Sequence, residues 1–185
     1  TQWDALSHVY YDDKLYNGFP ANSVTSLGAF HCGIDKVDIK GITSRGVLLD
    51  IVRLRGVKTF CELGDPITPA ELDEAARTQG VTVQRGNGAE PGAGLDWRCA
   101  SWLHDHEVAA VAADNLMVEN PQSGIDGVFL PMHMLCLRDM GLMLGEYWDL
   151  TALAVDCAAD GVYEFQLIAP PLNRRAVRKQ APSAP

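Results

Sequence analysis

Residues 68–83 read TPAELDEAARTQGVTV and carry the strongest fold signal in the chain. Thr68 can cap a helix, Pro69 suits the first helical position, and Glu71 can complete a capping box. Gly80 is the residue type that most often ends a helix. Apolar, β-branched stretches on either side predict buried strands, at residues 46–52 and 81–83. The stretch therefore predicts a strand–helix–strand unit.

Helical and strand patterns keep alternating through the rest of the chain. In order, they predict a helix at 96–104, a strand at 108–113, a helix from Pro131 to Met140, a loop holding Gly145 and Glu146, a helix at 149–159 and a strand at 162–168. Such alternation is typical of an α/β fold. The length of 185 residues is that of one domain with a core large enough to fold unaided.

Two segments lack this pattern. Residues 84–94 are rich in glycine and show no periodicity, so we predict a loop there. Residues 171–185 become basic and end in Ala-Pro-Ser-Ala-Pro, a composition typical of a disordered tail. We therefore expect one folded domain over residues 1–170, followed by that tail.

Composition narrows the classes of partner. The chain has 24 acidic against 15 basic residues, a formal net charge of -9, and such a surface would repel nucleic acid. No apolar run approaches the roughly 20 residues that span a bilayer, which argues against a membrane partner. The five cysteines are widely spaced and include no C-x-x-C pair, which predicts reduced thiols in a cytoplasmic protein.

Residues 1–8, TQWDALSH, place a carboxylate and an imidazole close together in the sequence. Asp4 and His8 lie four residues apart and could hold a metal or act as carboxylate and base. A surface or capping pair is the commoner use of such residues. Aromatic residues around them could line a pocket for a flat substrate or pack in the core, among them Trp3, Tyr16 and Phe19.

A second candidate pair combines His133, early in a predicted helix, with Glu146 thirteen residues later. The turn between them would let both side chains reach one ion. The alternative is a buried histidine with its polar atoms satisfied, and a solvated acid near the start of the next helix.

Other polar residues give weaker signals. His104 and His106 point in different directions on a helix, and His31 has no third ligand near it, so all three are left out of the site. Acidic and amide side chains follow the strand at 108–113 and could equally face an active site or cap a turn, namely Asp114, Asn115 and Glu119.

Residues 1–8 resemble the second half of the signature H-x-G-T-H-x-D-x-P-x-H of the cyclase family, which includes kynurenine formamidase and isatin hydrolase. Further stretches look like the same family, at residues 16–19, 44–50, 114–115, 144–146 and 160–165. The resemblance covers most of residues 1–170. It implies a single domain of swivelling β/β/α type, with a mixed central sheet flanked by helices.

The resemblance also implies a site. Asp4, His133 and Glu146 would bind a divalent metal ion, zinc or manganese, and His8 would be the catalytic acid or base. The family is also expected to be homo-oligomeric, as a dimer or tetramer, and to act on a small-molecule substrate.

The chain departs from the family pattern at several points. Gln2 stands where the second motif histidine is expected, and its amide oxygen is a weaker, neutral ligand. The first motif histidine would precede Thr1, and the family strand expected within residues 84–94 is not recognisable. We therefore expect these 185 residues to be an incomplete record of a longer protein.

These features predict hydrolysis of an amide, lactam or lactone bond in a small cyclic or aromatic substrate, with a metal-activated water and His8 as acid/base. Two alternatives stay open. Gln2 could mark a binding or assembly protein that has lost the metal. A natural-product cyclase or lyase could use the same ion to stabilise an enolate.

Overall fold

The computed structural model describes residues 2–58, 64–84, 87–89 and 94–171. The predicted tail lies outside the described residues except for Pro171, and so does part of the predicted loop at 84–94. No helix within the described ranges has the length and apolar character needed to cross a membrane.

Eight strands are present in the described residues. In chain order they are β1 (Gln2–Trp3), β2 (Val24–Thr25), β3 (Gly28–Ala29), β4 (Thr43–Val47), β5 (Asn87–Ala89), β6 (Ala110–Ala112), β7 (Met143–Glu146) and β8 (Glu164–Ile168). β2 and β3 form a separate hairpin, and the other six form one sheet in the order β1-β7-β6-β5-β4-β8. The four central strands are parallel, and β1 and β8 are antiparallel to their neighbours. The predicted α/β fold with a mixed central sheet is confirmed.

Helices flank this sheet. They are α1 (Asp35–Asp38), α2 (Ile51–Leu54), α3 (Pro69–Gln79), α4 (Cys99–Asp105), α5 (Pro131–His133) and α6 (Thr151–Asp160). α5 runs on as a π-helical segment, Met134–Met140, so one helical stretch covers the predicted range. π-Helical turns are rare and are frequent at functional sites.

Helix α3 forms for the local reasons that its sequence indicates. The Glu71 carboxylate accepts a hydrogen bond from the backbone N–H of Thr68 at 2.9 Å. Gly80 ends the helix in the left-handed conformation, with φ of 67°. Leu72 and Ala75 are fully buried on its inner face. Burying a leucine side chain of this kind contributes about 1.5–3 kcal/mol.

The main core lies on one face of the sheet. It joins Val111 of β6 and Leu144 of β7 to Leu72 of α3, Leu103 of α4 and Met132 of α5. A smaller cluster contains Leu48, Cys157 and Tyr163 and packs α6 against the sheet.

The side chain of Trp3 links the two edges of the sheet. The indole Nε1 of Trp3, in edge strand β1, donates to the carbonyl of Ala169, just beyond the opposite edge strand β8, at 2.8 Å. Trp3 also meets Trp148 edge-on, with ring centroids 5.0 Å apart. Gly145 lies beside both rings, because an added Cβ there would be 2.7 Å from Trp148 Nε1 and 3.1 Å from the Trp3 ring.

The strand predicted at 81–83 is wrong, and the loop predicted at 84–94 is wrong at residues 87–89, which form β5. Residues 81–84 form no strand, since the N–H of Val81 closes the end of α3 on the Ala76 carbonyl at 2.9 Å. β5 instead occupies the sheet between β4 and β6. Its Asn-Gly-Ala sequence has no strand signature, and its pairing depends on the backbones of two neighbouring strands.

Two further boundaries differ from prediction. Gly145 and Glu146 belong to β7, which is buried at all four positions, rather than to a loop. A central strand covered on both faces shows no alternation, so the sequence pattern predicts a loop at its polar end. The strand predicted at 46–52 ends at Val47, and Asp50 then caps α2 by accepting from the N–H of Arg53 at 2.9 Å.

Candidate metal centre

Three buried side chains from distant parts of the sequence converge at the β1 edge of the sheet. Asp4, His133 and Glu146 each offer one ligand atom, and these atoms lie within 4.8 Å of one another. Nε2 of His133 is 3.5 Å from Oδ2 of Asp4 and 3.6 Å from Oε1 of Glu146. They form a compact group of one imidazole and two carboxylates.

Pairing of β1 with β7 positions the two carboxylates. Gln2 lies directly opposite Glu146 in the ladder, and the backbone N–H of Asp4 donates to the Leu144 carbonyl at 2.8 Å. Because side chains alternate along a strand, Gln2 and Asp4 face the side on which Glu146 lies, and Trp3 faces the other.

Glu119 holds the imidazole of His133 in place. Its carboxylate accepts from the backbone N–H groups of Met132 and His133, at 2.9 and 2.8 Å. The same carboxylate lies 2.5 Å from Nδ1 of His133, which therefore carries the ring proton towards Glu119. Nε2 is left facing Asp4 and Glu146. In the sequence Glu119 is only an acid that follows a strand, and nothing local links it to His133.

The electrostatics of the group favour a cation. Burial lowers the pKa of His133, but hydrogen bonds and charge from Asp4 and Glu119 outweigh burial and raise this pKa to about 9. Oδ2 of Asp4 is buried, and its contact with Nε2 of His133 is long, at 3.5 Å. A buried carboxylate oxygen is costly unless a positive charge lies beside it.

The spacing of the ligand atoms also suits a small divalent ion. With metal–ligand distances near 2.0–2.2 Å, the ligand atoms of a tetrahedral site lie about 3.3–3.6 Å apart. The two distances from His133 Nε2, 3.5 and 3.6 Å, match this spacing. The residues present therefore fit a metal such as zinc or manganese, which accept nitrogen and oxygen ligands.

The side-chain amide nitrogen of Gln2 contacts both carboxylates of the metal centre. Nε2 donates to Oε2 of Glu146 at 2.7 Å and lies 3.4 Å from Oδ1 of Asp4. Since both carboxylates only accept hydrogen bonds, the amide nitrogen rather than the oxygen faces them. In this structure, Gln2 donates to the predicted ligands.

His8 lies beside the metal centre on its exposed side. Its ring centroid is 6.3 Å from that of His133, and the two rings are tilted by 50°. A turn in which the His8 N–H donates to the Ala5 carbonyl at 2.8 Å brings the chain back over Asp4. The side chain is exposed, in contrast to the three buried ligands.

The family model described as "Putative cyclase" matches residues 1–120, well over half of the chain. The chain belongs to the cyclase family. The resemblance noted in residues 1–8 and beyond is thereby confirmed.

Solved structures show the same fold. A crystal structure of a novel cyclase shares 35% identity with a TM-score of 0.85, over 95% of this chain and 64% of that one. An isatin hydrolase bound to the product analogue thioisatinate shares 15% identity with a TM-score of 0.62, over 94% of this chain and 65% of that one. Isatin hydrolase A from Labrenzia aggregata, bound to benzyl benzoate, shares 14% identity with a TM-score of 0.62, over 94% of this chain and 66% of that one. This cyclase-family chain thus spans under two thirds of these solved chains. No curated protein matches it.

The three aromatic residues proposed to contact substrate have separate surroundings in this cyclase-family chain. Trp3 packs against Trp148 on the opposite face of β1 from Asp4. Tyr16 packs against Gly141, at the far end of the π-helical segment from His133. Phe19 stacks on His31 with ring centroids 4.1 Å apart. The structure does not gather these rings into one wall.

The histidines left out of the site have other contacts. His104 is exposed beside Asp105, and the ring of His106 stacks on Trp102 with centroids 4.0 Å apart. Asp114 follows β6 and lines a separate cavity of about 420 Å³ between α2 and α6. Burial raises the pKa of the Asp114 carboxyl. None of the three metal-centre residues lines that cavity.

Proposed function

We propose that this chain carries the catalytic centre of a metal-dependent hydrolase that cleaves an amide, lactam or lactone bond in a small cyclic or aromatic molecule. The observation that carries the proposal is the convergence of Asp4, His133 and Glu146, with His8 exposed beside them. A divalent ion bound there would polarise the scissile carbonyl and lower the pKa of a water molecule.

Residues of the chain would bind the ion and position its ligands. Asp4 and Glu146 bring two negative charges that match one divalent ion. Glu119 keeps the ring proton of His133 on Nδ1, so that Nε2 can act as a ligand. Asp4, His133 and Glu146 are buried, so substrate would approach from the side of His8.

His8 is the proposed acid and base. An imidazole can accept a proton from the attacking water and return it to the leaving nitrogen or oxygen near neutral pH. Its exposed position, with its ring centroid 6.3 Å from that of His133, places the imidazole at the side from which a substrate would approach the ligands.

The relatives support the class of substrate only through the fold. Isatin hydrolases share this fold, which makes cyclic aromatic compounds the first class to test. We also propose that the protein is a homo-oligomer and is cytoplasmic. The native mass of the purified protein would test the first proposal, and fractionation of cells would test the second.

The test compares His8→Ala with His104→Ala on chelator-treated protein reloaded with Zn²⁺ or Mn²⁺. A panel of cyclic amides and lactones supplies the substrates. We expect His8→Ala to abolish hydrolysis while metal content, measured by elemental analysis, stays that of the parent chain. His104 is exposed and outside the centre, so His104→Ala should keep full activity. A fully active His8→Ala variant would refute the assignment.

A non-catalytic binding or assembly protein is the second candidate. The observation behind it is that the Gln2 amide already donates to both carboxylates. Elemental analysis distinguishes the two, since purified protein that binds neither Zn²⁺ nor Mn²⁺ favours the non-catalytic protein. A cyclase or lyase would also bind metal, and product analysis with the same substrate panel would separate it from a hydrolase.

A further inference from the structure

We infer that Gln2 restricts this centre to a single divalent ion by occupying the two carboxylate oxygens that a second ion would need. The inference rests on the proposed function only in that it requires the centre to bind metal. It concerns the number of ions and the residue that sets it.

The four carboxylate oxygens of the centre fall into two pairs. Oδ2 of Asp4 and Oε1 of Glu146 face Nε2 of His133, at 3.5 and 3.6 Å. Oε2 of Glu146 and Oδ1 of Asp4 face Nε2 of Gln2, at 2.7 and 3.4 Å. One pair of oxygens thus has an imidazole as the third ligand, and the other pair has an amide nitrogen.

An amide nitrogen cannot be a third ligand. Its lone pair is delocalised into the carbonyl, and its two protons are directed at the oxygens that a cation would contact. A second ion would have to displace this donor from both oxygens.

The register of the sheet makes position 2 decisive. Gln2 and Glu146 are direct cross-strand partners, so whichever side chain stands at position 2 lies beside the Glu146 carboxylate. A side chain with a free ligand atom at this position would complete a second set of ligands, together with Oε2 of Glu146 and Oδ1 of Asp4.

The test counts ions in the full chain and in two variants, Gln2→His and Gln2→Glu. Chelator-treated protein is titrated with Zn²⁺ by calorimetry, and bound zinc is then measured by elemental analysis after gel filtration. We expect one ion per chain in the parent protein and two in at least one of the variants. Gln166→His is the matched control, because Gln166 is exposed on edge strand β8, and it should keep one ion.

The outcomes separate this inference from the proposed function. Two ions in the parent chain overturn the inference and leave the metal-dependent function standing. One ion in the parent and in both folded variants also overturns it, because position 2 would then not set the number. No ion in any of the proteins overturns both. Circular dichroism establishes which variants are folded, and either variant is sufficient if the other does not fold.

Discussion

Glu119 and His133 form a buried pair in which one carboxylate binds both the backbone and the ring of the same histidine. The carboxylate accepts from the His133 N–H at 2.8 Å and lies 2.5 Å from Nδ1, and both side chains are almost completely shielded from solvent. The pair sets the direction of Nε2 and so positions one ligand of the metal centre without contacting the ion.

Replacing Glu119 with Gln should weaken metal binding and destabilise the fold. Gln keeps one acceptor but removes the charge and leaves a buried donor without a partner, which costs about 1–3 kcal/mol. Loss of such a supporting residue typically reduces metal affinity by about 10- to 100-fold. Urea denaturation and calorimetric titration with Zn²⁺ measure the two effects.

Glu164→Gln is the matched control for this change. Glu164 pairs with Arg45 at the exposed edge of the sheet, where an ion pair contributes about 0–1 kcal/mol. Metal affinity in this control should equal that of the parent chain. Equal affinities in both variants would show that Glu119 does not position the ligand.

Asp4→Asn should abolish metal-dependent stabilisation without unfolding the metal-free protein. Oδ2 of Asp4 is a proposed ligand atom 3.5 Å from Nε2 of His133, and Asn removes the charge of this ligand while keeping an oxygen of the same size for the contact in metal-free protein. An ion that binds only the folded state raises Tm. At a free ion concentration of 100 times Kd, the free energy of unfolding rises by about 2.7 kcal/mol. Thermal melts with and without Zn²⁺ make the comparison, and Asp126→Asn, at an exposed loop position, is the control. A variant that keeps the parent's shift in Tm would argue against Asp4 as a ligand.

Metal affinity should rise with pH from neutrality to about pH 9. The pKa of His133 in metal-free protein is about 9, so the ring is mostly protonated below that pH and an ion must displace a proton to reach Nε2. Below pH 9 each pH unit should change the affinity by about tenfold, as expected for release of one proton. Calorimetry in buffers of different ionisation enthalpy counts the protons. A pH-independent affinity would contradict proton displacement at His133.

The same pKa shift predicts how metal-free protein responds to pH. A histidine whose folded pKa is raised stabilises the fold fully below its unfolded pKa, and this stabilisation is lost as pH rises through the folded value. Metal-free protein should therefore lose stability between about pH 6.5 and pH 9. Urea denaturation across this range measures it, and His133→Gln should remove the dependence.

Gly145→Ala should destabilise the sheet beside the centre. An added Cβ would lie 2.7 Å from Trp148 Nε1 and 3.0 Å from Ala112 Cβ, which is too close for contact without movement. Overpacking of this kind costs about 1–3 kcal/mol. Urea denaturation measures the loss, and adding Trp148→Phe, which removes the contacting nitrogen, should recover part of it. No recovery in the double variant would place the strain elsewhere.

Local chemistry in the sequence was sufficient for helices α3, α4 and α6 and for the helical stretch that begins with α5, but not for the four-residue helices α1 and α2. Thr68, Pro69 and Glu71 start α3 and Gly80 ends it because capping involves residues within one turn. Alternation along 164–168 predicted β8 for a similar reason, since a strand with one exposed face and one partly buried face repeats every second residue. Sheet order and β5 were not readable, because strand pairing joins backbones that are distant in sequence.

The sequence by itself determined the family and the residue types of the site. The motif in residues 1–8 and the later pair His133 and Glu146 indicated a metal centre, because carboxylates and imidazole are the ligands that such ions accept. Only the tertiary structure decided which atoms meet. The pairing of β1 with β7 places Gln2 beside Glu146, and burial places Glu119 against His133, because contacts between remote segments depend on how the whole chain packs.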